Sequence, residues 1–162
     1  MRTVQILNIP NFYSSYYILG FSENYRVKFK MDSRFIKYNN KPILIFQIGG
    51  KIGIIDNDDP SGILQELYDI SSVYFVTNKL LNESSYSQQK VKPLYPHYPV
   101  NILITYIKIF NFNLLKFLSI RALARQLYIL YKRPRFRSYK LNLKNDISQI
   151  MCSFNSYLRP GS

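Results

Sequence analysis

The feature that most constrains the fold is a pair of apolar runs that are joined by two glycines and end in carboxylates. The runs, residues 43–48 and 51–55, flank Gly49-Gly50, and the second leads into Asp56-Asn57-Asp58-Asp59. Apolar runs separated by Gly-Gly predict a tight β-hairpin. The carboxylates then follow the carboxyl end of a buried strand, which is where ligands bind in open α/β sheets. A site on this chain is therefore expected at this edge first.

The rest of the first hundred residues predicts alternating strands and helices. We expect strands at residues 4–9, 25–30, 73–77 and 91–94, helices at 12–21 and 61–68, and polar loops at 32–40 and 82–89. Asn11 is suited to cap the first helix, and Asp59 followed by Pro60 is typical of the start of the second. This order predicts an α/β, Rossmann-like domain over residues 1–100, with a mostly parallel sheet and a β-hairpin. The G-x-G-x-x-G and P-loop patterns do not occur, and no cofactor is predicted.

The hydrophobic period changes after residue 100. Polar side chains fall on one narrow helical face and apolar ones cover the rest, which predicts a long amphipathic basic helix within residues 101–140, with a bend or break near Ser119. The helix could span a membrane, lie on anionic lipid, or be buried between domains. Residues 141–162 are weakly patterned and are expected to form a weakly structured tail.

The net charge of +13 is concentrated in the second half of the chain. Residues 93–162 hold eleven basic residues and one acidic residue, whereas residues 1–92 hold eleven basic and eight acidic. This asymmetry predicts a phosphate-bearing partner: nucleic acid, a nucleotide or anionic lipid. No nucleic-acid module is recognisable, so no specific nucleic acid is expected. We assign membrane or phosphate binding to Lys132, Arg133, Arg135 and Arg137.

Two further features could carry chemistry. Asp56 and Asp58 could hold a divalent ion, bind sugar hydroxyls or act as a base, or they could belong to an acidic turn in which Asp59 caps a helix. His97 is an alternative base, or a histidine packed in a proline-rich loop. One cysteine and one histidine exclude a disulfide framework and a Cys/His zinc site, and no bound metal is predicted. The amino terminus has too short an apolar run for a signal peptide, so a cytoplasmic location is predicted.

Four segments, in this order, resemble a known enzyme family. They are N-I-P-N-F-Y-S-S-Y-Y-I-L-G-F from residue 8, I-G-I-I-D-N-D-D-P-S-G-I from 52, E-L-Y-D-I-S-S-V-Y-F-V-T-N-K from 66 and V-K-P-L-Y-P-H-Y-P-V-N from 91. The chain resembles the N-terminal half of bacterial surface-polysaccharide glycosyltransferases of the two-Rossmann-domain (GT-B) type. Asp69, Tyr74, Phe75 and Asn78 stand close to the D-x-Y-F-x-x-N form of that family.

The resemblance implies transfer of a sugar from a nucleotide sugar to a glycan or lipid-linked acceptor, with the acceptor on this half. It implies catalytic roles for Asp56, Asp58 and His97. The acceptor-binding residues it implies are Asn11, Tyr13, Ser14, Ser15, Asp59 and Asn78.

The resemblance also implies a donor domain beyond this half. The chain is therefore expected to be incomplete as a catalyst, truncated or paired with a second chain, and to touch the inner face of the membrane peripherally. One alternative is a small basic binding module for anionic membrane or nucleic acid, without catalysis. Another is a metal-dependent transferase of the single-domain (GT-A) type, which would use Asp56-Asn57-Asp58.

Overall fold

The computed structural model describes residues 2–58, 62–77, 84–94 and 97–135. They form an α/β structure with a six-stranded sheet in the order β2-β1-β3-β4-β5-β6. The strands are β1 (Thr3–Ile6), β2 (Arg26–Phe29), β3 (Ile43–Ile48), β4 (Lys51–Asp56), β5 (Val73–Val76) and β6 (Val91–Pro93). The α-helices are α1 (Ser15–Asn24), α2 (Gln65–Ile70), α3 (Leu103–Phe110), α4 (Asn113–Phe117) and α5 (Ile120–Lys132). Short 3₁₀ helices occupy Phe12–Ser14, Ser33–Tyr38 and Ser84–Ser87.

The sheet is mixed but mostly parallel, as the sequence predicts. The strands β1, β2, β4, β5 and β6 share one direction and β3 runs against them, because β3 pairs antiparallel with both of its neighbours. The predicted hairpin is confirmed: Ile48 pairs with Lys51, and Gly49 and Gly50 have φ of 55° and 82°. Positive φ at both central residues is the requirement of the tight turn that suits twisted strands. The carboxyl ends of five strands consequently lie at one edge.

Helices cover both faces of the sheet, because alternate side chains along each strand point to opposite faces. On one face, Ile6 and Phe46 pack in a core with Ile18 of α1 and with buried residues of α3, α4 and α5. On the other face, Ile45 packs with Leu67 of α2 and with the Ser33–Tyr38 helix. The region after residue 100 therefore shares a core with the sheet.

The predicted polar loop at residues 32–40 is wrong. A 3₁₀ helix, Ser33–Tyr38, occupies this segment, and Phe35 and Tyr38 are buried. Residues three apart eclipse one another in a 3₁₀ helix, so both aromatic rings reach the same core. The two buried aromatic residues stand among polar ones, so the local pattern of the sequence predicts a loop here.

The predicted single long helix is also wrong, since three shorter helices replace it. Asn111, with φ of 47°, ends α3 and lets both Phe110 and Leu114 enter the core. The predicted break near Ser119 is confirmed, and the Ser119 side chain caps α5 by accepting from the amide of Ala122. The last five residues of the predicted helical region and the tail at 141–162 lie outside the described residues.

The second predicted helix begins later than expected. Leu64, rather than Asp59, is the N-cap of α2, which starts at Gln65. The reason is tertiary: the Leu64 amide donates to the hydroxyl of Tyr74 at 3.2 Å, and Leu64 has an extended conformation. The predicted capping role of Asp59 is therefore wrong for α2, and Asp59 itself lies outside the described residues.

Candidate functional site

The connections that leave the sheet at its carboxyl edge diverge around β3. The chain leaving β1 enters α1 on one face, whereas the chain leaving β4 leads to α2 on the opposite face. Where neighbouring connections separate in this way, an open α/β sheet forms a crevice that ligands occupy. The topology therefore places the candidate site at the edge that the carboxylates predicted.

Asn8 controls how the chain leaves β1. Its fully buried amide donates to the carbonyls of Tyr38 and Ile43 and accepts from the amide of Ile45. The side chain thus satisfies backbone groups just beyond the end of the β1–β3 ladder. The main chain is released toward Asn11, whose carbonyl side chain caps the next turn by accepting from the amide of Tyr13 at 3.0 Å.

The loop after β1 and the loop after β4 meet through Ser14 and Asn57. The Asn57 side-chain amide donates to the Ser14 hydroxyl oxygen at 3.1 Å, and the Asn57 backbone amide donates to the carbonyl of Pro42 at 2.9 Å. Ser14 is fully buried, and the side-chain oxygen of Asn57 is buried without a hydrogen-bond partner. A buried oxygen without a hydrogen-bond partner is unusual, and a ligand group that donates a hydrogen bond would be stabilised at this junction.

Asp56 is buried at the end of β4 and belongs to a closed hydrogen-bond network. One carboxylate oxygen accepts from the Tyr74 hydroxyl at 2.5 Å, and the other accepts from the Asp58 amide at 3.0 Å. Burial raises the pKa of Asp56 above the ordinary value of an aspartate, whereas these two hydrogen bonds act in the opposite direction. A raised pKa is the property that a general base requires, and each Asp56 oxygen, already accepting one hydrogen bond, has one further lone pair with which to take a proton.

His97 joins the chain after β6 to the helix that follows β1. Its Nε2 lies 2.9 Å from the carbonyl oxygen of Tyr13, and its Nδ1 lies 3.0 Å from the hydroxyl of Tyr17. Since a carbonyl can only accept, the arrangement requires a proton on Nε2 and leaves Nδ1 to accept from Tyr17. Burial lowers the pKa of His97 below its usual value, which favours this neutral form. Both ring nitrogens are thus occupied, although the histidine does lie beside the predicted acceptor residues.

A small cleft lies beside these loops, on the side of α5. Its volume is about 180 Å³, and polar side chains of the β1–α1 loop and of α5 supply much of its lining. The lining residues are Asn11, Phe12, Tyr13, Asn40, Ala122, Arg125 and Gln126. A larger cavity of about 670 Å³ lies at the opposite edge, between the amino end of β1 and the hairpin turn. We give more weight to the smaller cleft because it lies at the carboxyl edge, where open α/β sheets bind ligands.

The walls of this cleft are held by buried polar contacts. The Tyr106 hydroxyl donates to the carbonyl of Pro10 at 2.8 Å, and the Gln126 side chain donates to the same carbonyl at 3.2 Å. The Arg133 guanidinium lies 5.4 Å from the centre of the Phe12 ring. The helices after residue 100 therefore fix the position of the loop that carries Asn11 and Tyr13.

The structure brings some of the predicted site residues together and gives others a different task. Asn11, Tyr13, Ser14 and His97 converge. The Ser15 hydroxyl is instead buried and accepts from the amide of Val100, so it joins α1 to the chain after β6. Asp59, Asn78 and Arg137 lie outside the described residues. Lys132 lies near the rings of Tyr128 and Tyr131, and Arg135 ends the described chain.

The sequence predicts no binding role for Asn40, Arg125 or Gln126, and it includes Asn57 only as the middle residue of Asp56-Asn57-Asp58. The charged neighbours of Asn57 carry the chemistry predicted for that pattern. The other three are distant in sequence from the β1 loop, and no local pattern indicates that they line one cleft with it.

The described residues contain neither a metal-binding cluster nor a helix that could span a membrane. Across residues 2–58, 62–77, 84–94 and 97–135, no three His, Cys, Asp or Glu side chains are grouped so that they could hold a metal ion. Over the same ranges, no helix has both the length and the apolar character needed to cross a bilayer. No protein-family model, no curated protein and no solved structure matches this chain.

Proposed function

We propose that this chain is the acceptor-binding half of a glycosyltransferase of the GT-B type that acts in surface-polysaccharide or lipopolysaccharide synthesis. The observation that carries the proposal is the polar cleft lined by Asn11, Tyr13, Asn40, Arg125 and Gln126. Amide side chains both donate and accept hydrogen bonds, as sugar hydroxyls also do. The Tyr13 ring, which is 46% exposed, offers an aromatic surface against which a sugar ring can pack.

The fold supports this assignment at the level of architecture. The units β1-α1-β2 and β4-α2-β5 are parallel strand–helix–strand units of one sheet, and their helices α1 and α2 cover opposite faces of it. We interpret the domain as Rossmann-like, with an antiparallel β3 inserted between the two units. A fold of this kind serves many functions, so the proposal depends on the chemistry of the cleft.

In this proposal the acidic network supplies the base. The oxygen of the acceptor hydroxyl attacks the sugar carbon of the donor, and the nucleoside diphosphate leaves. The carboxylate of Asp56, or that of Asp58, takes the proton of that hydroxyl in the same step. The raised pKa of Asp56 suits this role. His97 orients the loop that carries Tyr13 and remains the alternative base.

Nuclear magnetic resonance titration of the purified chain tests the proposal. Amide resonances of Asn11, Tyr13 and Asn57 are expected to shift with at least one member of a panel of hexoses, N-acetylhexosamines and disaccharides. Asn11→Ala should weaken that binding about tenfold, because it removes both the side-chain amide that lines the cleft and the cap that positions Tyr13. The matched control is Asn24→Ala, since Asn24 is an exposed asparagine at the far end of α1.

Nucleotide sugars form the second arm of the experiment. An acceptor half should bind them weakly, so tight binding of any nucleotide sugar by this chain alone would contradict the assignment. If no saccharide shifts the resonances of the cleft, the basic binding module without catalysis becomes the better explanation.

A further inference from the structure

The helices α3 and α4 present apolar side chains to solvent on the side opposite the core. Tyr106, Phe110 and Leu114 are buried in the core, so the residues on the opposite side of this segment face solvent. Ile104 and Ile107 of α3 are 68% and 43% exposed. Phe112, in the turn between the helices, is 79% exposed and Leu115 of α4 is 65% exposed. We call Ile104, Ile107, Phe112 and Leu115, with the exposed Lys108 and Lys116, the α3–α4 strip.

The strip consists of two pairs of apolar residues, one on each side of the helix break. Ile104 and Ile107 lie three residues apart on α3, and Phe112 and Leu115 lie three residues apart at the start of α4, so each pair lies on one side of its own helix. Asn111, in its positive-φ conformation, ends α3 and leaves Phe112 projecting into solvent. Four large apolar side chains exposed within twelve residues, beside two lysines, are a feature that marks an interaction surface.

The charge around the strip identifies the kind of surface it fits. Residues 101–135 contain seven lysines and arginines and no aspartate or glutamate. Apolar side chains next to cations, with no acid in the same segment, complement a bilayer whose headgroups are anionic and whose interior is apolar. Glu23 of α1 lines a cavity together with Ile104, so the contact with the bilayer is centred on Phe112 and Leu115. Nucleic acid is a poorer fit for the strip itself, because three of its four apolar members are aliphatic and cannot stack on bases as aromatic rings do. The exposed rings of Tyr128 and Tyr131 belong to α5 and lie outside the strip.

We propose that the α3–α4 strip docks on an anionic phospholipid bilayer, inserting Phe112 and Leu115 into the headgroup region while Lys108 and Lys116 contact lipid phosphates. The docking is peripheral and goes beyond the proposed transferase activity. None of the residues of the strip lines the cleft between the β1 loop and α5. Failure of sugar binding would therefore leave this inference intact, and failure of docking would leave the cleft assignment intact.

Vesicle co-sedimentation tests the docking. The chain is expected to bind vesicles of phosphatidylglycerol and phosphatidylcholine in equal parts, and to bind pure phosphatidylcholine vesicles much more weakly. The double variant Phe112→Ser/Leu115→Ser should lower the partition coefficient about tenfold or more, because the inserted apolar area is lost. The matched control is Ile36→Ser/Ile70→Ser, which removes two exposed isoleucines, 46% and 42% accessible, on the other face of the sheet.

The absence of tryptophan from the sequence permits a direct reporter of insertion. Phe112→Trp should show a blue shift of its emission with the anionic vesicles and quenching by brominated lipid, whereas Ile36→Trp should show neither. Lys108→Gln/Lys116→Gln should weaken binding to anionic vesicles and leave binding to neutral vesicles unchanged, since it removes only the electrostatic contribution.

Three results would overturn the inference. The first is equal binding by the native chain and by Phe112→Ser/Leu115→Ser. The second is binding to duplex DNA without binding to vesicles, which would assign the cations to nucleic acid. The third is a dimer in solution that Phe112→Ser/Leu115→Ser dissociates while no vesicle binding occurs, which would assign the strip to a second copy of this chain.

Discussion

Replacing Tyr74 by phenylalanine tests whether the Asp56 network holds the loop of the candidate site. The Tyr74 hydroxyl is fully buried, donates to the Asp56 carboxylate at 2.5 Å and accepts from the Leu64 amide at 3.2 Å. The substitution removes one oxygen and leaves the aromatic ring in place. It leaves both a buried carboxylate and a backbone amide with one partner fewer.

The expected loss follows from these two contacts. A hydrogen bond to a charged group contributes about 1.5–3 kcal/mol, so we expect the free energy of unfolding to fall by about 2 kcal/mol. For a chain of this size, that loss corresponds to a decrease of about 4–8 °C in melting temperature. A double-mutant cycle with Asp56→Asn should give a coupling energy of about 1 kcal/mol or more, because the two side chains are in direct contact.

The pH dependence gives an independent check on the same contact. Burial raises the pKa of Asp56 in the folded state, so protonation of this group stabilises the fold as the pH falls through that pKa. The Tyr74 hydrogen bond opposes that rise, and Tyr74→Phe should raise the pKa further. The stability deficit of Tyr74→Phe should therefore shrink on acidification.

Thermal unfolding followed by circular dichroism, at neutral and mildly acid pH, measures these effects. Tyr128→Phe, which removes a hydroxyl from an exposed ring on α5, is the matched control and should melt like the native chain. If Tyr74→Phe melted like this control at both pH values, the reasoning from the Asp56 network would be refuted.

Three other substitutions test packing, titration and capping by the same unfolding assay. Gly53→Ala should lower the free energy of unfolding by about 1–3 kcal/mol, because a Cβ there would lie 2.4 Å from the Phe46 ring. Gly20→Ala, whose Cβ would meet nothing within 4 Å, should not destabilise the protein, and equal melting temperatures of the two variants would contradict this reasoning. Burial lowers the pKa of His97, so the unfolded state binds the proton more readily than the folded state. The free energy of unfolding should therefore fall as the pH drops below the ordinary histidine pKa. His97→Gln should flatten this pH dependence, and an unchanged pH profile would contradict the assignment to His97. Ser119→Ala should cost about 1 kcal/mol through loss of the cap of α5, and a neutral effect would mean that packing alone fixes the start of that helix.

The sequence by itself determined the sheet and the edge at which to look for a site. Gly49-Gly50 between two apolar runs specified the hairpin, because few other residues adopt the two positive φ angles that its turn requires. The carboxylates lie at the carboxyl end of β4 because they directly follow, in the sequence, the apolar run that forms this strand. Alternation and turn chemistry act between neighbouring residues, so a sequence displays them directly.

Only the tertiary structure decided which residues share the site. Asn57 contacts Ser14 across 43 positions, and Gln126 reaches Pro10 across 116. The start of α2 was decided in the same way, since the Tyr74 hydroxyl holds Leu64 out of the helix. Such contacts depend on how the faces of the sheet are covered and on which buried polar groups find partners. These are properties of the packed chain, and no window of neighbouring residues contains them.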